Sequence, residues 1–114
     1  MPQQPSSYQF IFTESFQHQL KHLAKKNKNI DKDLLEFLES FDPELGAVIP
    51  GMKGARKIRV KMQGFGKSKS YRVIYYLSIK TRVFFLDIYV KGEQTDISPE
   101  QAKKIKAIIE ELGI

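Results

Sequence analysis

The sequence predicts a small α+β protein with a mainly antiparallel sheet that is covered by helices on one face. Two adjacent segments in the first half of the chain carry apolar residues at helical spacing. Three segments in the second half are rich in β-branched and aromatic residues, and polar connections separate them. A short aromatic segment precedes these elements and an amphipathic segment follows them. The predicted order is therefore β-α-α-β-β-β-α.

The N-terminal part of the chain is predicted to form a strand and a helical hairpin. Residues 8–12 (Tyr-Gln-Phe-Ile-Phe) have the aromatic and β-branched composition of a strand. Thr13 begins the first helix, and the polar run at 25–29 ends it. Asp31 is the predicted N-cap of the second helix. That helix stops before Pro43, because the residue that precedes a proline avoids the helical region.

The remaining elements follow a loop at 44–55 that contains glycine and proline. Residues 56–62 alternate between basic and apolar side chains, as a half-buried strand does. Residues 71–77 and 82–89 are predicted to be the next two strands of an antiparallel meander. Ser98-Pro99-Glu100-Gln101 is a helix start, with serine as N-cap and glutamine completing a capping box.

Length and composition favour one domain. A chain of 114 residues can bury one core, so we assign residues 8–114 to a single domain and residues 1–7 to a flexible tail. The first residues lack the basic start and apolar run of a secretion signal, and no stretch approaches 18 apolar residues. We therefore expect a cytoplasmic protein without membrane association. The absence of cysteine excludes a disulfide framework and a thiolate metal site.

The positive charge is concentrated in the middle of the chain. The net charge is +6, yet residues 45–86 contain ten Lys and Arg residues and no acidic residue, while the rest sums to −4. Such a segment is typical of a surface that binds a polyanion such as nucleic acid. A solvated basic surface and a docking surface for an acidic protein are the alternatives.

One row of cations is the most informative pattern. Lys57, Arg59 and Lys61 project from the same face of their predicted strand, where like charges two residues apart repel each other. Arg72 begins the next strand and could reach the same face. The cluster is explained if an anion normally lies among the cations, although long basic side chains also cover exposed sheets without such a role.

No other pattern predicts a metal, a cofactor or a nucleophilic side chain. Gly-Phe-Gly-Lys-Ser at 64–68 lacks the spacing of a Walker loop and precedes a predicted strand. His18 and His22 have helical spacing but no third ligand. RNA supplies its own nucleophile, the 2′-hydroxyl, so a cationic site could cleave it by positioning the strand, transferring protons and stabilising the crowded phosphate.

Three motifs follow one another along the chain: Gly-Ala-Arg-Lys-Ile-Arg-Val (54–60), Tyr-Arg-Val-Ile-Tyr-Tyr (71–76) and Phe-Phe-Leu-Asp-Ile-Tyr-Val-Lys-Gly-Glu (84–93). In this order they resemble the RelE/ParE superfamily of bacterial toxins, and within it the HigB-like branch of type II toxin–antitoxin systems. The resemblance implies the RelE-like fold and an mRNA interferase, which cuts messenger RNA, commonly on the ribosome. It also implies a cognate antitoxin that keeps the toxin silent.

The resemblance implies roles for individual residues. Arg72 would be the main stabiliser of the transition-state phosphate. Lys57 and Arg59 would hold the RNA backbone, with Lys57 as a proton acceptor. Lys91 or Tyr89 would serve the leaving group, and the chain has Gly92 where many RelE-type enzymes have arginine. Further cations are expected to contact RNA: Lys53, Arg56, Lys61, Lys67 and Lys69.

Two alternative functions remain at this point. A ParE-like toxin that inhibits DNA gyrase would share the fold, although the cationic cluster argues against it. A non-catalytic RNA- or ribosome-binding module would stack bases on exposed aromatic rings, for which Tyr71, Tyr75 and Tyr76 are the candidates.

Overall fold

The computed structural model describes residues 7–66, 68–79 and 81–113. A five-stranded sheet has the order β1-β5-β4-β3-β2, in which β1 pairs with β5 in parallel and every other pair is antiparallel. The predicted fold class is confirmed, with β2 as an added strand in the predicted loop at 44–55. The elements are β1 Gln9–Phe12, α1 Glu14–Ala24, α2 Ile30–Glu39, β2 Ala47–Val48, β3 Arg56–Lys61, β4 Ser70–Leu77, β5 Arg82–Lys91 and α3 Pro99–Glu111.

The helical hairpin begins as predicted at its first helix and earlier than predicted at its second. The Thr13 side chain accepts a hydrogen bond from the backbone N–H of Phe16 and caps α1. The prediction that Asp31 caps α2 is wrong, since Asn29 is the N-cap and Asp31 lies in the first turn. Ile30 is the first residue of α2 and is 1% exposed, so the earlier start buries an apolar side chain in the core.

The helices α1 and α2 cover one face of the sheet. Phe16, Ile30 and Phe41 pack there against Tyr71 and Val73 of β4 in one buried cluster. Several aromatic rings meet in this core, and the Phe41 ring centroid lies 5.0 Å from that of Tyr75 in an edge-on arrangement. This face supplies most of the apolar burial that drives folding.

The third helix packs on the opposite face, so the prediction that all helices cover one face is wrong. Ile105 and Ile109 of α3 lie in a second buried cluster with Ile74, Leu86 and Tyr89. The physical reason is that β5 is buried on both faces from Val83 to Val90, as a strand between two layers must be. The helix covers only part of this face and leaves the β3 side open.

The predicted tail at residues 1–7 lies outside the described residues except for Ser7, and the single domain at 8–114 stays a prediction. Across the described parts of the chain, each helix is too short or too polar to cross a membrane.

Candidate active site

The strand register brings the predicted catalytic residues onto one face of the sheet. Arg59 of β3 lies opposite Arg72 of β4, and Arg72 lies opposite Tyr89 of β5. Two residues further along β3, Lys61 lies opposite Ser70, which lies opposite Lys91. Directly paired residues of antiparallel strands project to the same side, with Cα atoms about 4.5–5.5 Å apart. We call the open part of this surface the basic face: Lys57, Arg59, Lys61, Arg72 and Lys91.

The cations of the basic face have little compensating negative charge. Arg59, Lys61 and Lys91 are exposed and Arg72 is half-buried. Within the described residues none of these four takes part in an ion pair. Arg59 and Arg72 are direct cross-strand neighbours, an arrangement that destabilises a sheet unless an anion is present. The geometry therefore favours a bound phosphate between the two guanidinium groups.

The fifth cation, Lys57, is paired with an acidic residue that the sequence did not single out. Its Nζ lies 3.8 Å from Oδ1 of Asp96, in the loop between β5 and α3. The same Oδ1 accepts the backbone N–H of Ile97 at 2.8 Å, which fixes the carboxylate. The Lys57 and Asp96 side chains are 36% and 64% exposed, so their attraction is weak and a bound anion could compete with Asp96 for the lysine.

Tyr89 is buried beside the basic face and is not part of its open surface. The residue is 3% exposed and its ring belongs to the cluster beneath α3. Burial raises the pKa of its hydroxyl above the ordinary value, and the charge of Asp96 adds to the effect, while the positive charge of Arg72 opposes it. The phenol is therefore protonated at neutral pH. It also lies close enough to Arg72 for the two side chains to interact electrostatically.

A buried polar network holds the loop that carries Asp96. Asp87 is 5% exposed and accepts hydrogen bonds from the backbone N–H of Ile88 at 2.8 Å and from the side chain of Gln101 at 3.0 Å. The Gln101 side chain also accepts the N–H of Ser98 and completes the capping box of α3. Burial raises the pKa of Asp87 above its ordinary value, although these hydrogen bonds and Lys104 oppose the rise. The network thus connects α3 to β5 beside the basic face.

Comparison with known proteins gives the family. The family described as the RelE toxin of the RelE/RelB toxin–antitoxin system matches residues 11–113, nearly the whole chain. The chain belongs to the RelE toxin family. It is therefore the toxin component of a toxin–antitoxin system, as the sequence motifs predicted.

Two solved structures are similar to this RelE-family chain. A double arginine mutant of E. coli toxin RelE in the free state is 23% identical, with a TM-score of 0.56. The match covers 90% of this chain and 98% of that chain, and it shows the shared fold. The same mutant in complex with a RelB antitoxin peptide is 26% identical over 72% of this chain and 81% of that chain, with a TM-score of 0.45.

Two of the cations predicted to contact RNA have partners within this RelE-family fold. Nη1 of Arg56 donates to the carbonyl oxygens of Glu44 and Gly46, both at 3.0 Å, on the sheet face opposite the basic face. Nζ of Lys53 lies 3.3 Å from a carboxylate oxygen of Glu110 in α3. The structure therefore gives Arg56 a role in holding the loop before β2 and keeps Lys53 beside α3.

Lys69 is the predicted RNA-binding cation just before β4, at the end of the connection from β3. Nζ of Lys69 lies 5.4 Å from the centroid of the Phe65 ring. Its side-chain stem packs beside Gly92, where an added Cβ would lie 3.2 Å from Cγ of Lys69. Gly92 has φ +123°, which a side chain rarely tolerates, so the glycine allows the turn after β5. Lys67 lies outside the described residues.

The tyrosines considered for base stacking are largely structural. Tyr71 and Tyr75 are 1% and 0% exposed. The Tyr75 hydroxyl accepts the N–H of Gly46 at 3.0 Å and donates to the Pro43 carbonyl at 2.6 Å. A Cβ at Gly46 would lie 2.2 Å from that hydroxyl oxygen, which is why glycine stands there. Only Tyr76 is half-buried, so a stacking platform built on these three rings is not available.

The remaining metal and phosphate-loop candidates behave as surface features. His18 and His22 are both exposed on α1. Over the part of the chain that the structure describes, no three His, Cys, Asp or Glu side chains cluster in a way that could hold a metal ion. The glycine-rich loop at 64–68 connects two antiparallel strands, whereas a Walker loop leads from a strand into a helix.

Proposed function

We propose that this toxin is a metal-independent endoribonuclease, an mRNA interferase that cuts ribosome-associated messenger RNA in the cytoplasm. The central observation is the row in which Arg72 lies between Arg59 and the buried Tyr89. Two adjacent guanidinium groups on an open sheet suit one phosphate of an RNA backbone. The motifs support the HigB-like branch, and the family supports a cognate antitoxin as the partner that silences the enzyme.

The proposed reaction uses the 2′-hydroxyl of the RNA as the nucleophile. The 2′-oxygen forms a bond to the neighbouring phosphorus, and the bond from phosphorus to the 5′-oxygen of the next nucleotide breaks. Lys57 takes the proton from the 2′-hydroxyl, and Arg72 with Arg59 stabilises the extra negative charge on the phosphate. The products carry a 2′,3′-cyclic phosphate and a 5′-hydroxyl.

Lys91 is a better donor to the leaving oxygen than Tyr89. Lys91 is exposed at the end of β5 on the basic face, whereas Tyr89 is 3% exposed and its pKa is raised by burial. A buried phenol of raised pKa is a poor acid at neutral pH. We therefore assign Tyr89 to positioning Arg72, which it faces across the strand pair, and the proton to Lys91.

Substitution of a single 2′-hydroxyl tests this mechanism directly. The substrate is an mRNA on programmed ribosomes with one 2′-deoxynucleotide immediately 5′ to the mapped scissile phosphate. We expect cleavage at that phosphate to stop, and wild-type cuts to end in a 2′,3′-cyclic phosphate. Cleavage that persists at the 2′-deoxy position, or ends in a 3′-hydroxyl, would contradict the mechanism. If the toxin cuts no RNA but inhibits DNA supercoiling, it is a gyrase inhibitor instead.

A further inference from the structure

The two lysines with proposed roles in proton transfer lie on opposite sides of the arginine pair. Arg59 and Arg72 are direct cross-strand neighbours. Lys57 precedes Arg59 by two residues, so it lies on the same face of β3 and to one side of the pair. Lys91 follows Tyr89, the partner of Arg72, by two residues and lies to the other side. This arrangement suits an in-line displacement, in which the attacking and leaving oxygens lie on opposite sides of the phosphorus.

The carboxylate of Asp96 makes these two sides unequal. Its Oδ1 lies 3.8 Å from Nζ of Lys57, and among the described residues this is the one ion pair that involves the basic face. A lysine carries its charge at the end of a flexible four-carbon chain, so a carboxylate beside it limits the positions that Nζ adopts. The pair therefore gives Lys57 a preferred direction that Lys91 lacks within the described structure.

Hydrogen bonds hold Asp96 itself in place. Its Oδ1 accepts the backbone N–H of Ile97 at 2.8 Å, and its carbonyl oxygen accepts the side-chain amide of Gln94 at 2.7 Å. The same amide donates to Oε1 of Gln101 at 2.8 Å, and Nε2 of Gln101 donates to the buried Asp87 at 3.0 Å. An unbroken chain of hydrogen bonds thus connects the loop that carries Asp96 to the interior of β5.

The charges around Lys57 change when it accepts a proton. The ammonium group that forms has Arg59 two residues away on the same face, and Arg72 lies opposite Arg59 on the next strand. Like charges at such positions repel each other. Asp96 is the carboxylate beside this group, and its attraction for Lys57 increases as the positive charge develops. The carboxylate therefore favours the transfer that the two arginines oppose.

We propose that Asp96 is a positioning residue of the ribonuclease, which aims the amino group of Lys57 at the 2′-hydroxyl and balances the ammonium that forms there. The proton passes from the 2′-oxygen to the neutral Nζ, while the electron pair of that oxygen forms the new bond to phosphorus. Asp96 neither contacts the RNA nor takes the proton. The inference rests on the proposed ribonuclease function and adds the residue that orients its base.

The pH dependence of single-turnover cleavage tests this role. Wild type and Asp96→Asn are compared on messenger RNA bound to programmed ribosomes; asparagine keeps an oxygen for the N–H of Ile97 but removes the charge. We expect the limiting rate at high pH to fall about tenfold or more, as part of the hundredfold or more that a general base supplies. The pH of half-maximal rate should move downward, because loss of a nearby negative charge favours the neutral form of an amine. RNA affinity should not fall, because the carboxylate contacts no phosphate.

Glu110→Gln is the matched control. Glu110 pairs with Lys53 at 3.3 Å, and the side chains are 66% and 44% exposed, comparable with the pair on the basic face. The substitution removes one carboxylate and one ion pair, so it changes the net charge by the same amount. We expect it to leave the limiting rate and the pH of half-maximal rate unchanged.

A double variant shows whether Asp96 acts through Lys57. Lys57→Ala combined with Asp96→Asn should cleave no more slowly than Lys57→Ala alone, since the carboxylate then has no lysine to position. Rate losses that multiply in the double variant would mean that Asp96 acts independently, and the proposal would be wrong.

Other results would also overturn the positioning role. If Asp96→Asn keeps the wild-type limiting rate and binds RNA more tightly, Asp96 only competes with RNA for Lys57. A slower rate without any change in the pH of half-maximal rate would indicate a structural role alone. A wild-type toxin that makes no cuts would contradict the ribonuclease function itself, and the positioning role with it.

Discussion

The two faces of the central strands β3 and β4 have different functions. On the α1 and α2 side, Val60, Tyr71 and Val73 are at most 1% exposed and pack in one continuous core. On the other side, neighbouring positions of the same strands carry the exposed Arg59 and the half-buried Arg72, which lie side by side. The first face stabilises the fold, and the second concentrates like charge at a cost in stability.

This difference indicates where stability and activity should separate. Substitutions beneath the helical hairpin should reduce the free energy of unfolding, whereas substitutions on the basic face should reduce RNA binding and cleavage with little loss of stability. Tyr89 and Asp87 lie at the border, because α3 covers that part of the second face.

The largest effect on stability is expected in the core of the hairpin. Phe16 is 1% exposed and its ring centroid lies 5.6 Å from that of Phe85. Phe16→Ala should lower the free energy of unfolding by about 3–5 kcal/mol, since it leaves a cavity in a packed cluster. Urea denaturation measures the loss. A loss below about 1 kcal/mol would mean that this face is not the main source of stability.

A smaller loss is expected from the hydroxyl that ties the loop before β2 to the sheet. Tyr75→Phe leaves the N–H of Gly46 and the carbonyl of Pro43 without their buried partner. The free energy of unfolding should fall by about 1–3 kcal/mol in denaturation measurements. Tyr76→Phe is the matched control, because it removes a hydroxyl from the next, half-buried position. Equal effects of the two substitutions would show that the tie is unimportant.

On the basic face, removal of one cation should alter electrostatics more than stability. Arg59→Ala should weaken binding to RNA of every sequence, because a phosphate contact does not depend on the base. It should also reduce the slope of log affinity against log salt by about one unit, because one phosphate contact is lost. Affinity measured at several salt concentrations gives the slope. The control Lys53→Ala, which removes the cation beside Glu110, should leave the slope unchanged.

The smallest effect is expected at the border, as a dependence of stability on pH. Burial raises the pKa of Asp87 in the folded state, so the folded protein holds this proton more tightly than the unfolded chain does. The stabilisation is complete below the unfolded pKa and is lost as pH rises through the folded pKa. Wild type should therefore lose stability relative to Asp87→Asn as the pH rises above about 4, the ordinary pKa of an aspartate. If the difference in the free energy of unfolding between wild type and Asp87→Asn is the same at all pH values, the raised pKa of Asp87 is wrong.

The strand pattern predicted much of the candidate site, because successive side chains of a strand alternate between the two faces of the sheet. Alternation placed Lys57, Arg59 and Lys61 on one face of β3, and Arg72 follows from a meander that pairs β3 with β4. The side on which α3 packs could not be predicted, because an amphipathic stripe defines an apolar face but not its partner. The burial of β5 on both faces was the available signal, in its nearly unbroken apolar run.

The sequence pattern did not predict the positions of residues that depend on loop conformation or helix packing. Asp96 reaches Lys57 only because the loop after β5 folds back toward β3. Asp33 is one of two acidic residues in the first turn of α2, and nothing in its spacing shows that it is buried with an unpartnered oxygen. The basic segment predicts that Arg56 contacts RNA, yet strand alternation assigns Arg56 to the face opposite Lys57 and Arg59.

The most direct test of the ribonuclease account compares two arginine substitutions in living cells. Arg72→Ala removes the guanidinium at the centre of the basic face. Arg82→Ala removes the same group from the exposed start of β5, about 23 Å along β5 from Tyr89, the residue that lies opposite Arg72. Growth and mapped messenger RNA 5′ ends are followed after induction of each protein. We expect wild type and Arg82→Ala to arrest growth with new cuts inside translated frames, and Arg72→Ala to lose cleavage by about a hundredfold or more. Arrest with undiminished cuts in Arg72→Ala would contradict the account.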